Sequence, residues 1–74
     1  MTKTVEFQLR EGESFIPLIQ LLKVTQVANS GGESQVLVTE GKVTLNSQPE
    51  LRKRAKIKAG DVVTAQGYEI RVTG

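Results

Sequence analysis

The chain of 74 residues has no cysteine, no histidine and no tryptophan. Without cysteine there are no disulfides and no thiol chemistry, and without histidine there is no imidazole acid–base catalysis and no usual zinc ligand set. The fold must therefore stand on packing alone, in a chain near the lower size at which a single core suffices. The same length excludes two domains, so residues 1–74 are expected to form one. No apolar run approaches the ~20 residues that span a bilayer, and the first residues do not join a basic start to a long apolar stretch. The chain is expected to be soluble, cytoplasmic and monomeric, with no membrane partner, no cofactor and no metal.

Charge is present and unevenly placed. The net charge is +2, but residues 1–50 hold four basic and six acidic side chains, whereas residues 51–74 hold six basic and two acidic ones. Five of the seven residues from 52 to 58 are basic (Arg52, Lys53, Arg54, Lys56 and Lys58) and none is acidic. A small domain polarised in this way presents one positive surface, which suits a polyanion. On charge alone, a solvated loop that keeps the protein soluble accounts for the run equally well.

The local patterns define an order of elements. Val5, Phe7 and Leu9 alternate with Glu6 and Gln8, which predicts a strand over residues 4–9 with its apolar side on the core. After a polar loop, Pro17 suits a first helical turn, and Leu18, Leu21, Leu22 and Thr25 continue at helical spacing, giving a short helix over residues 17–24. Phe15 and Ile16 are expected to close the approach to that helix, with both phenylalanines in the core.

Ser30-Gly31-Gly32-Glu33 has the spacing of a capping box, so a second helix should start after Ser30. Its inner face holds Ser34, Leu37 and Val38, Gln35 and Thr39 point outward, and Gly41 stops it. Residues 42–45 then start a strand, Asn46-Ser47-Gln48-Pro49 offers turn chemistry, and Pro49 places the returning arm at an edge. Residues 62–65 and 68–72 flank Gln66-Gly67 as a closing hairpin. The fold class is α+β: two short packed helices followed by a small, mostly antiparallel sheet of about five short strands.

Taken together, Gln20-Leu21-Leu22-Lys23, Ser30-Gly31-Gly32, Glu40-Gly41-Lys42-Val43, Asn46, the Arg52-Lys53-Arg54 cluster with Lys56, and Gly60-Asp61-Val62-Val63 resemble the alpha-L motif. This is the RNA-binding domain of small-subunit ribosomal protein S four, and the resemblance is strongest to its small stand-alone bacterial branch, across residues 16–65. It implies that the two helices and the following hairpin form one surface docking on structured RNA, ribosomal or transfer RNA, or a ribosomal particle. The contact residues it implies are Ser30, Gly31, Gly32 and Gln35 at the second helix and Arg52, Lys53, Arg54 and Lys56 in the loop, flanked by Lys23 and Lys42. Three residues depart from the family pattern. Ser34 replaces a small apolar residue, Gln35 a common lysine, and Ser47 a turn glycine.

Elementary chemistry points the same way. Amides at the positive end of a helix, next to glycines without side chains, let a phosphate approach closely. Arginine forks hold phosphates in two-point contacts that lysine cannot make, which puts Arg52 and Arg54 first among the candidates. With so few aromatics, phosphate and shape recognition fits better than base-by-base reading. The competing function is a protein-interaction module that adds a strand at an exposed edge, with the basic loop only a solvated surface. An enzyme has no activated nucleophile or general base to work with, since capping and solvation account for Glu33 and Glu40.

Overall fold

The computed structural model describes residues 3–74. Seven strands and two helices follow in the order β1 (Lys3–Gln8), β2 (Ile16–Pro17), α1 (Leu18–Val24), α2 (Gly31–Thr39), β3 (Val43–Leu45), β4 (Gln48–Pro49), β5 (Lys56–Ile57), β6 (Val62–Ala65) and β7 (Tyr68–Thr73). Five of the strands form one sheet in the order β1-β7-β6-β3-β4, and β2 pairs with β5 in a second, two-stranded ribbon. The α+β architecture expected from the sequence is thus present. No helix among the described residues is long and apolar enough to cross a membrane.

The large sheet is antiparallel except where β1 lies parallel to β7, from Lys3 opposite Tyr68 to Gln8 opposite Thr73. A parallel pair needs a long crossover, and here both helices and the rest of the sheet supply it. Inward alternation in β7 puts Ile70 and Val72 in the core, while Val5 and Phe7 of β1 pack against it half-buried. Pro49 lies in β4 at the far edge, where its missing donor costs no ladder bond.

Helix α1 turns Leu18, Leu21 and Leu22 to the core, all fully buried. Pro17 is not in its first turn, as the sequence suggested, but is the N-cap residue at φ −62° and ψ 142° and belongs to β2. Proline fixes only φ, and this value serves extended and helical backbone alike. Ser30 caps α2 as expected, its hydroxyl accepting from the Glu33 amide at 3.1 Å. At the other end Gly41 takes φ +72°, its amide reaches the Val38 carbonyl at 3.2 Å, and the Lys42 amide reaches the Leu37 carbonyl at 3.0 Å. These two bonds are the paired closure of a Schellman stop, which explains why a glycine stands there.

Ser34 is buried on the face of α2 that contributes Leu37 and Val38 to the core, and its hydroxyl donates to the Ser30 carbonyl at 3.1 Å. This bond answers the polar group that the departure from the family pattern introduces. Val27 and Ala28, between the helices, are buried, and Gln26 turns the chain there at φ +63°.

The β3–β4 turn has Asn46 at φ +51° and Ser47 at φ +71°, so both central residues are left-handed and the tight turn forms without glycine. A non-glycine residue pays roughly 1–2 kcal/mol for this backbone region, against about 0.5–1 kcal/mol of extra chain entropy for glycine. Replacing Ser47 with glycine should therefore raise stability by about 0.5–1 kcal/mol, seen as a higher thermal midpoint by circular dichroism. An unchanged or lower midpoint would contradict the turn assignment.

Candidate nucleic-acid interface

The basic run is anchored through its backbone. The amides of Leu18 and Ile19, two donors that a helix start leaves without internal partners, donate to the carbonyls of Ala55 at 2.9 Å and Lys53 at 3.1 Å. Beside these bonds, Ile16 pairs with Ile57 and Pro17 with Lys56. Ala55 and Ile57 are buried, whereas Arg52, Lys53, Arg54, Lys56 and Lys58 are all exposed. Alternation of buried and basic residues thereby converts the run into an ordered cationic face.

Two concavities meet at Arg54. One is a groove of about 540 Å³ with aliphatic walls from Pro17, Ile19 and Val24, in which Gln20, Lys23, Gly31 and Arg54 supply the remaining lining. The other is a depression lined by Arg52, Arg54, Ala55, Lys56 and Lys58. The start of α2 and the basic segment therefore lie on the same side of the molecule. A Cβ added at Gly31 would meet nothing within 4 Å, so the helix start is open to close approach.

Ser30 and Gly32 flank Gly31, with the Ser30 hydroxyl committed to its cap. The reciprocal half of the expected capping box does not form. Glu33 instead accepts, at long range, from the Asn29 side chain at 3.4 Å and the Gln66 side chain at 3.5 Å. Gln35 is exposed on α2 but lines neither concavity, and Lys53 is exposed beside them. Lys42 lines a separate, smaller concavity with Thr44, Thr64 and Gln66, and its ammonium is 3.2 Å from Glu40.

Arg52 and Arg54, ranked together from the sequence, differ in their surroundings. Arg52 donates to Glu50 through its amide at 3.0 Å, its Nε at 3.1 Å and an Nη at 3.1 Å. The Arg52 side chain remains 78% exposed while that of Glu50 is only 12% exposed. Among the described residues, Lys23, Arg54, Lys56 and Lys58 form no ion pair. Sequence reasoning passed over Lys58 and the aliphatic groove walls. Lys58 was visible as the last cation of the run, but Ile19 and Val24 read only as helix residues.

Phe15 also departs from expectation. It is 37% exposed, lies outside the core cluster, and has the Lys56 ammonium 5.1 Å from its ring centre. The residue preceding a strand points away from that strand's buried Ile16, and nothing in composition signals this.

The molecule thus falls in the class of small α+β domains that mount a cationic face on a packed helix pair. The family model described as "S4 domain" matches residues 7–73. The chain is 35% identical over 57 residues to YbcJ of Escherichia coli (strain K12), covering 77% of this chain and 81% of that protein. It is 38% identical over 53 residues to the Bacillus subtilis (strain 168) protein named "Probable ribosome maturation protein RlbA", covering 72% and 75% respectively. The solution structure of E. coli YbcJ, described as revealing an alfaL motif involved in RNA binding, matches with a TM-score of 0.75 at 31% identity, over 100% of this chain and 92% of that one. The chain belongs to the S4 domain family.

The Glu50 carboxyl is held below its usual value of 4.5, first by hydrogen bonds from the Arg52 side chain and then by the Arg52 amide, with desolvation opposing. A carboxylate whose folded value is depressed stabilises the fold above its unfolded value and loses that contribution as pH falls through the folded one. Glu50→Gln should therefore lower the thermal midpoint at neutral pH, and the gap to the parent should close on acidification below about pH 4.5. Midpoints that stay equally far apart down to strong acid would contradict this role.

Proposed function

We infer that this chain is an RNA-binding protein that docks on a folded RNA through phosphates and shape, without catalysing a reaction on it. Membership of the S4 domain family supports the binding class. The printed descriptions of the YbcJ structure and of the B. subtilis relative point to RNA and to the ribosome, which makes ribosomal RNA or a ribosomal particle the favoured partner over transfer RNA. In this reading the protein acts in the cytoplasm, as a monomer and a single domain over residues 1–74.

One observation carries the reading: Arg54 stands between a groove that reaches Gly31 at the α2 start and a depression with three further cations. A guanidinium there can hold a phosphate at two points while its neighbours follow the backbone on either side. Arg54, Lys56, Lys58 and Lys23 are the primary contacts, and the open amides around Gly31, between Ser30 and Gly32, take a further phosphate. Arg52 joins when a phosphate competes with Glu50, an exchange that is affordable because exposed ion pairs contribute only about 0–1 kcal/mol. Lys53, Gln35 and Lys42 form the outer margin.

Four phosphate contacts should give a slope of roughly −3 for log affinity against log salt concentration. Affinity for structured ribosomal RNA that does not vary with salt would exclude the mechanism. Arg54→Ala should weaken binding about tenfold, flatten the slope by about 0.7–0.9, and leave the thermal midpoint nearly unchanged. Arg52→Ala should cost less affinity than Arg54→Ala, because its guanidinium is already occupied. The reverse ranking would show that the depression is not centred on Arg54.

A further inference from the structure

Phe15 is an aromatic ring that the core does not use. The chain has only two phenylalanines and one tyrosine. Phe7 and Tyr68 are half-buried and pack against the core cluster, whereas Phe15 is 37% exposed and does not. Its place is fixed: it immediately precedes β2, whose Ile16 and Pro17 pair with Ile57 and Lys56 of β5. The Lys56 ammonium that sits 5.1 Å from the ring centre belongs to a side chain that also lines the cationic depression with Arg52, Arg54 and Lys58. A flat apolar face thus adjoins four cations, joined through one shared lysine.

We propose that Phe15 is a stacking platform for one unpaired base of the bound RNA, whose neighbouring phosphates lie in the Arg52, Arg54, Lys56 and Lys58 depression. The proposal rests on the RNA-binding reading above and adds the class of RNA element recognised. An unpaired nucleotide offers both parts of this ligand at once, a π-face for the ring and a flexible anionic backbone for the cations. In a regular duplex the bases are stacked on one another, and only the backbone could engage. Lys56 covers the ring in the free protein through a cation–π contact, which is weak at an exposed site. Binding exchanges that contact for two stronger ones, base on ring and ammonium on phosphate. The ring therefore has a partner of its own in both states, and the exposed lysine stem moves without disturbing the buried Ile57 beside it.

The test compares two RNA probes, a duplex interrupted by one unpaired nucleotide and the same duplex fully paired, with the parent protein, Phe15→Ala and Phe15→Trp. The parent should prefer the interrupted duplex. Phe15→Ala should lose that preference, weakening its binding about tenfold, or about 1.4 kcal/mol, with little change on the paired duplex. Phe15→Trp should keep the preference, and its fluorescence, the only tryptophan signal in the chain, should be quenched by the interrupted duplex. The proposal is overturned if Phe15→Ala binds both probes as the parent does or loses equally on both, or if the tryptophan signal is unmoved by binding. A parent that binds neither probe nor ribosomal RNA overturns the RNA-binding reading itself.

Discussion

The amides of Leu18 and Ile19 need acceptors, and the chain supplies them from Ala55 and Lys53. This exchange, extended by the β2–β5 pairing, is the constraint on which the candidate surface depends. Helix α1 has no side-chain cap, so its first turn is completed by the backbone of the basic segment. The segment in turn gains a fixed course with Ala55 and Ile57 as buried anchors. Without this tie, residues 52–58 would be a mobile cationic loop whose ordering would have to be met from binding energy. With it, the cations are presented in advance on the side where α2 begins.

The arrangement of ion pairs sharpens the same surface. All three salt bridges among the described residues join side chains two positions apart: Glu40 with Lys42, Glu50 with Arg52, and Glu69 with Arg71. Each is a local pair in which an acidic residue quiets the cation that follows. Arg54, Lys56 and Lys58 have no such neighbour, since no acidic residue occurs between Glu50 and Asp61. Asp61 is itself engaged, accepting from the Lys58 amide at 2.8 Å and from the Asn46 side chain at 3.2 Å. Net charge of only +2 therefore coexists with a strongly positive patch.

Much of the fold was legible in the sequence because its signals are local. The Ser30 cap, the Gly41 stop, the alternation in β1 and β7, and the edge position of Pro49 all follow from rules that act over a few residues. What the sequence hid was non-local. Two-residue strands such as β2 and β5 have no periodicity to detect, and their pairing brings Ile16 beside Ile57, a residue far along the chain. The same contact moved Pro17 from the helix to its cap and left Phe15 on the surface. Within the candidate site, the basic run and the helix start were readable as residue types, but their adjacency was not. Nor was the difference between Arg52 and Arg54, which depends on how the chain turns Glu50 back toward Arg52. Ser47 shows the opposite case, in which a missing glycine suggested a weaker turn and the backbone adopted the left-handed conformation regardless.

The central claim is that one continuous face, running from the end of α1 through the α2 start to residues 52–58, meets the RNA. Amide chemical-shift mapping of the labelled protein, titrated with a folded ribosomal RNA fragment, tests it most directly. The account predicts that the largest changes fall together at Lys23, Gly31, Gly32 and residues 52–58, with Ile16 and Pro17's neighbour Leu18 following because their backbone is bonded to that segment. Changes concentrated instead on the outer edge of β1 or on the β6–β7 turn at Gln66 and Gly67, with residues 52–58 unmoved, would contradict it.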